Sequence, residues 1–89
     1  MTQEFGFNSV VEFGGTQFQV QTEPCRRGED GALAIETTVF RGGQVHYSRR
    51  VPCPSADAES VRELVRQQHG SVMAELRAGR LPSAGQAGN

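Results

Sequence analysis

Two glycine pairs constrain this chain more than anything else in it. Gly14-Gly15 stands between SVVEF and TQFQVQT, and Gly42-Gly43 follows ALAIETTVF and Arg41 and precedes QVHYSRRV. Paired glycines tolerate the positive φ angles of a tight turn, and apolar and polar residues alternate on both sides, so each unit reads as a β-hairpin. With a two-residue turn in the first unit, Phe13 faces Thr16 and Val11 faces Phe18. Val11, Phe13, Phe18 and Val20 then share one face, and Val10, Glu12, Gln17 and Gln19 share the other.

The second unit admits two registers. A two-residue turn puts Phe40, Val45 and Tyr47 on one face and Leu33, Ile35 and Val39 on the other. A three-residue turn, Arg41-Gly42-Gly43, aligns Leu33, Ile35, Val39, Val45, Tyr47 and Val51. The three-residue turn is the expectation, because it gathers the apolar set on a single face. It leaves Phe40 and His46 together on the opposite side and brings Glu36 near Arg49 or Ser48.

Between the hairpins, CRRGEDG (25–31) is polar and turn-like. After the second, Pro52 and Pro54 stop the sheet, Ser55 or Asp57 can cap a helix, and Asp57 and Glu59 suit its positive end. VRELVRQQHGSVMAELRAGRL, residues 61–81, has helical periodicity, with Gly79 as a left-handed C-terminal cap. Val61, Val65, Gln68, Val72 and Leu76 fall on one stripe with Leu64 on its flank, and Gln68 is expected to bond a strand edge or to overhang the sheet. Burying four or five such aliphatic side chains at roughly 1.5–3 kcal/mol each anchors the helix on the sheet. The fold class expected is α+β: a four-stranded antiparallel sheet of two hairpins with one C-terminal amphipathic helix on one face, ββββα. Residues 1–8 read as a flexible lead-in from which Phe5 or Phe7 could dock, 9–81 as the single domain, and 82–89 as a disordered tail.

Beside the apolar stripe the helix shows a second arc: Arg62, Arg66, His69, Met73, Arg77 and Arg80. A solvated face paired locally with Glu59 and Glu63 is the plainer account. Arginine and methionine together are nevertheless an interface composition. All nine basic residues of the 89 are arginines, against ten acidic ones, so a net charge of −1 gives no global field toward DNA or an anionic membrane. No apolar run approaches the roughly 20 residues of a membrane span, and the N-terminus lacks a signal-peptide pattern. A cytoplasmic chain with reduced cysteines is expected.

No catalytic motif is present, so no enzyme is expected, and no cofactor. Cys25, Cys53, His46 and His69 lack the paired spacing of a zinc site, so no metal is expected. A Cys25–Cys53 disulfide would have to cross two inter-strand steps of roughly 4.8 Å. A redox or metal sensor built on these cysteines is the least supported function. Nucleic-acid binding through Arg26-Arg27, Arg49-Arg50 and the helix arginines is the alternative reading, but acidic residues interleave with them and aromatics are few.

FQVQTEPC, IETTVFRGGQVHYSRR and VRELVRQQHGSVMAELRAGRL together resemble a family of small bacterial ββββα domains. That family has an F-x-V-Q-T-E strand, an E-T-x-V-F-x-G-G hairpin and a Q-H-containing terminal helix, and is similar to RomX, the small partner of the scaffold RomR in gliding bacteria. The resemblance covers residues 16–81, and no motif in it is chemically diagnostic. It implies regulation of the Ras-like polarity GTPase MglA: a complex with the receiver-domain scaffold that recruits the GTPase to a pole and promotes nucleotide exchange. The expected function is thus a non-enzymatic protein-interaction module with two protein partners and no membrane. Its expected contact residues are Arg62, Arg66, His69, Met73 and Arg77 on the helix and Phe40 with His46 on the outer hairpin.

Overall fold

The computed structural model describes residues 6–27, 31–54 and 56–81, Arg27 by its backbone alone. Four strands, β1 (Phe7–Phe13), β2 (Thr16–Arg27), β3 (Ala32–Arg41) and β4 (Gln44–Pro52), form one antiparallel sheet in chain order, followed by helix α1 (Ala58–Arg77). This is the α+β, ββββα arrangement that the hairpins and the helical period predict. β1 starts at Phe7, two residues earlier than expected, while Phe5, Ser55 and 82–89 lie outside the described residues.

Both glycine pairs form two-residue turns with positive φ at each position, 61° and 78° in the first and 59° and 83° in the second. Such turns match the right-handed twist of the strands they join. The first hairpin has the expected register, Phe13 opposite Thr16 and Val11 opposite Phe18. The second corrects the three-residue turn. Arg41 lies opposite Gln44 and Phe40 opposite Val45, then the register shifts so that Val39 faces Tyr47. His46 is the extra residue of a β-bulge on β4. Tyr47 and Val51 thus reach the core-side face as expected, but Val45 stays with Phe40 on the outer face and is 52% exposed. The same shift brings Glu36 opposite Arg50 rather than Arg49 or Ser48, and their side chains make an ion pair at 2.8 Å.

The core lies between the sheet and α1 in two apolar clusters. Toward the turns, Val11, Phe18, Val20, Val39 and Tyr47 meet Val72 and Leu76 of the helix, with Met73 and Leu81 packed against them. At the other end Ile35 and Cys53 meet Val61 and Val65, flanked by Leu33 and Leu64. Between the two runs a polar row, Thr22 and Thr37 on adjacent strands and His69 on the helix, all buried. The helix packs on β1, β2 and β3. β4 is tied to it through side chains: Arg49 pairs with Glu75 at 2.7 Å, and Gln68 donates to the Arg49 carbonyl.

Asp57 caps α1 by accepting from the Ser60 N–H at 3.1 Å, and Glu59 sits in the first turn. At the other end Gly79 takes φ +70°, its N–H bonding Leu76 O while Arg80 N–H bonds Glu75 O, the paired geometry of a glycine-terminated helix. The ring of Phe13 lies against this glycine, and a Cβ there would meet Phe13 Cζ at 2.7 Å. Gly79→Ala is therefore expected to cost at least about 1–2 kcal/mol, the left-handed penalty alone, with the Phe13 contact adding to it. Urea unfolding measures this: a loss confined to about 1–2 kcal/mol would mean that Phe13 gives way, and unchanged stability would mean that Gly79 is not left-handed.

Candidate interaction site

The hydroxyl residues at inward positions decide how α1 sits. In β1, Ser9 alternates with Val11, in β2 Thr22 with Val20, and in β3 Thr37 with Ile35 and Val39, so three hydroxyls enter a face that is otherwise apolar. Buried polar groups need partners, and the helix supplies them with His69 and Gln68. Gln68 Nε2 donates toward Ile35 O (3.2 Å), Arg49 O (3.3 Å) and Thr37 Oγ1 (3.0 Å). Two of these acceptors are backbone carbonyls, which fixes the amide with its nitrogen inward. Gln68 thus bonds the sheet backbone as expected, from the margin of the stripe.

Thr37 Oγ1 accepts from Gln68 and shares a hydrogen bond with Thr22 Oγ1 at 2.8 Å. Thr22 Oγ1 is also hydrogen-bonded to His69 Nδ1 at 2.8 Å, and His69 Nε2 to Ser9 Oγ at 2.9 Å, so the neutral ring donates through one nitrogen and accepts through the other. Among the described residues no buried side-chain nitrogen or oxygen lacks a partner. His69 is 4% exposed, with the Phe7 ring centroid 5.5 Å from its own.

This overturns the expectation that His69 belongs to an exposed contact arc. At 100° per residue His69 stands between the apolar stripe and the arginines, and the hydroxyls of Ser9 and Thr22 draw it inward. The stripe is accordingly Val61, Val65, His69, Val72 and Leu76. Met73 is half-buried against the turn-side cluster, with part of its side chain still at the surface. Arg62, Arg66 and Arg77 remain exposed on the flank leading through His69 to Ser9, which places them toward the free edge of β1, and Arg80 is exposed just past the helix end.

These cations are not equivalent. Arg66 binds Glu63 on its own helix through Nε at 3.2 Å and through a guanidinium NH2, and Gln67 donates to the same carboxylate. The Arg66 hydrogen bond, then that of Gln67, holds the Glu63 carboxyl below its ordinary range. Arg49 and Arg50 are bound to Glu75 and Glu36. Arg77 and Arg80, by contrast, have no carboxylate partner among the described residues.

The outer hairpin patch does not assemble. Phe40 is half-buried on the open sheet face, in a row with Val10, Gln19 and Val45. The bulge turns His46 instead against Phe18, with ring centroids 5.1 Å apart, at the margin of the core. Both cysteines are free thiols, Cys53 buried and Cys25 half-buried, and no group of three or more metal-ligating side chains forms among the described residues. No described helix is long and apolar enough to cross a membrane. The alternation pattern missed one thing, the exposure of Phe7 and Phe13 at the two ends of β1, 37% and 43%. The inward hydroxyls were the available signal for the network. Against models of known families, characterised proteins and solved structures, the chain shows no match.

Burial pushes the His69 imidazole below its ordinary value. Its immediate neighbours are Ser9, Thr22 and Phe7, with no carboxylate among them to offset a positive charge. The unfolded chain takes up a proton near pH 6.5 that the folded one refuses, so stability is full above about pH 6.5 and falls as pH drops below it. The fall ends at the lower folded-state value. Thermal unfolding from about pH 7.5 to about pH 5.5 should show the decline, and His69→Gln should flatten it. An equal slope in both proteins would place the titrating group elsewhere.

Proposed function

We propose that this chain is a small non-enzymatic protein-interaction module of the cytoplasm, and that its partner is a Ras-like small GTPase. It would recruit or regulate that GTPase within a nucleotide-exchange complex completed by a receiver-domain scaffold. The observation that carries the interaction reading is the pair Arg77, in the last turn of α1 one turn from Met73, and Arg80, just past the helix end, both exposed and with no carboxylate of their own among the described residues. Guanidinium groups already bound to a neighbouring carboxylate have little left to offer a partner, whereas these two keep their planar donor forks available. Met73 supplies an adaptable apolar contact next to them. The choice of partner comes from the family resemblance, which points to the polarity and gliding-motility GTPase.

The chemistry asked of such a module is modest. An exchange factor needs no nucleophile; it binds best to the GTPase conformation with weakened nucleotide or Mg²⁺ contacts and so shifts the population toward it. A hundredfold shift takes about 2.7 kcal/mol of differential affinity, within reach of a few charge-assisted hydrogen bonds to an acidic switch surface. The nucleic-acid reading draws less support, since Arg49, Arg50 and Arg66 are already held by carboxylates.

The test is release of fluorescent GDP from a purified Ras-like polarity GTPase, with and without this chain and the scaffold. Release should accelerate by about tenfold or more, a barrier change of about 1.4 kcal/mol. Arg77→Glu with Arg80→Glu should abolish the acceleration while changing folding stability by no more than about 0.5 kcal/mol each, as expected for surface positions. Arg66→Glu should weaken it less, because Arg66 is already engaged. Unchanged release in the presence of both proteins overturns the GTPase reading. Steep log-linear salt dependence of binding to a nucleic-acid duplex would favour the alternative.

A further inference from the structure

The two free edges of the sheet are built differently. β4 carries the bulge at His46, ends in Pro52 and bears Arg49 and Arg50. Bulges, prolines and charges are the devices that stop a sheet edge from accepting another strand. β1 has neither bulge nor proline. It runs from Phe7 to Phe13 in unbroken register with β2, and Glu12 is its only charge. Of the five large apolar side chains that stay exposed among the described residues, Phe7, Val10 and Phe13 sit on this seven-residue strand and Val45 and Val51 on β4, so the unguarded edge carries the larger share.

The backbone of that edge can be assigned. Phe13 and Thr16 flank a two-residue turn and form a hydrogen-bonded pair, and alternation makes Val11, Ser9 and Phe7 face β2 likewise. The N–H and C=O groups of Asn8, Val10 and Glu12 therefore point away from the sheet. A further strand would lie about 4.8 Å beyond β1. On its helix side it would run along the flank of Arg66, Met73 and Arg77, with Arg80 just past the helix end, and Phe7 lines one open depression with Arg62 and Arg66, in which Asp57, Glu59 and Glu63 also stand. On the other side its neighbour would be Val10, 59% exposed. Pairing β1 with β1 of a second copy would bring two such arginine flanks together, and like charges oppose it.

We infer that β1 is a strand-addition site for an extended partner segment in which acidic and apolar residues alternate. The carboxylates lie under the arginine flank of α1 and the apolar side chains lie beside Val10. This rests on the interaction-module reading and names the chemistry of one partner segment. Main-chain hydrogen bonds supply affinity and the alternation supplies selectivity.

The test is a ¹⁵N spectrum of the full chain titrated with a capped peptide of alternating valine and glutamate, about as long as β1 (roughly seven residues). The amides of Asn8, Val10 and Glu12 should shift and gain protection from exchange, and added salt should weaken binding. Val10→Pro removes a donor that β2 does not use, and Arg77→Glu with Arg80→Glu leaves the backbone edge intact. Val10→Pro should weaken binding by up to about tenfold, the loss of one neutral main-chain hydrogen bond, and the arginine pair by about tenfold or more, the loss of hydrogen bonds to a charged group. Far-UV circular dichroism confirms that each variant is folded.

Shifts centred on Ser48 and Arg50, equal binding of a valine–lysine peptide, or no shift at millimolar peptide would each overturn the inference. So would self-association of the free chain that Val10→Pro abolishes. GTPase stimulation that persists in Val10→Pro while the peptide fails removes this site and leaves the module reading intact. Peptide binding without any GTPase stimulation removes the GTPase and leaves this site standing.

Discussion

A belt of hydrogen bonds crosses the middle of the core, and the packing on either side is arranged around it. Ser9, His69, Thr22, Thr37 and Gln68 connect β1 to β4 beneath the helix, ending on the carbonyl of Arg49. Apolar contacts alone would let a valine-rich helix slide or rotate over a valine-rich sheet at little cost. The belt removes that freedom, because a half-satisfied buried network is worse than none. With His69 seated between Ser9 and Thr22, Val61 and Val65 must fall on Ile35, and Val72 and Leu76 on Val20, Val39 and Tyr47.

The width of the sheet imposes the second constraint. Four strands at about 4.8 Å spacing are wider than one helix about 10 Å across can cover. Placed by His69 over β1 to β3, α1 reaches β4 only through side chains, with Tyr47 in the cluster of Val72 and Leu76. There Val51 stays 43% exposed, and Arg49 has to span from the strand to Glu75. The bulge at His46 belongs to the same solution. It reconciles a two-residue glycine turn with the need to bring Tyr47 under the helix, and it disrupts the β4 edge of the sheet.

Folding also divides what looked like one surface. His69 is taken into the core, Met73 is partly taken, and Arg66 is occupied by Glu63. Arg77 and Arg80 are left as cations facing outward, and the cost of their exposure is small because they sit near the negative end of the helix. The interaction reading therefore moves from the middle of the helix toward its C-terminal turn and the adjacent β1 edge. On β1, Phe7 and Phe13 are exposed on the helix side and Val10 on the opposite face of the sheet.

Both hairpins, the helix with its glycine stop, and most of the apolar face are legible from the order of residues alone. All of these depend on contacts between near neighbours: turn φ angles, strand alternation and helical period. The first register was legible too, because a two-residue turn with no bulge pairs Val11 with Phe18 and keeps the apolar alternation intact. Only the tertiary structure decided the register past His46, where turn geometry and burial of Tyr47 compete and a bulge satisfies both. Only the tertiary structure decided which side chain of the Gln68-His69 pair enters the core. On the helix alone the two are nearly equivalent, and the choice is made by hydroxyls about sixty residues and about thirty residues away, at Ser9 and Thr37. The candidate surface shares that dependence: a periodic pattern marks which residues lie on a flank, but whether a cation is free is settled by what the other strands bring beside it.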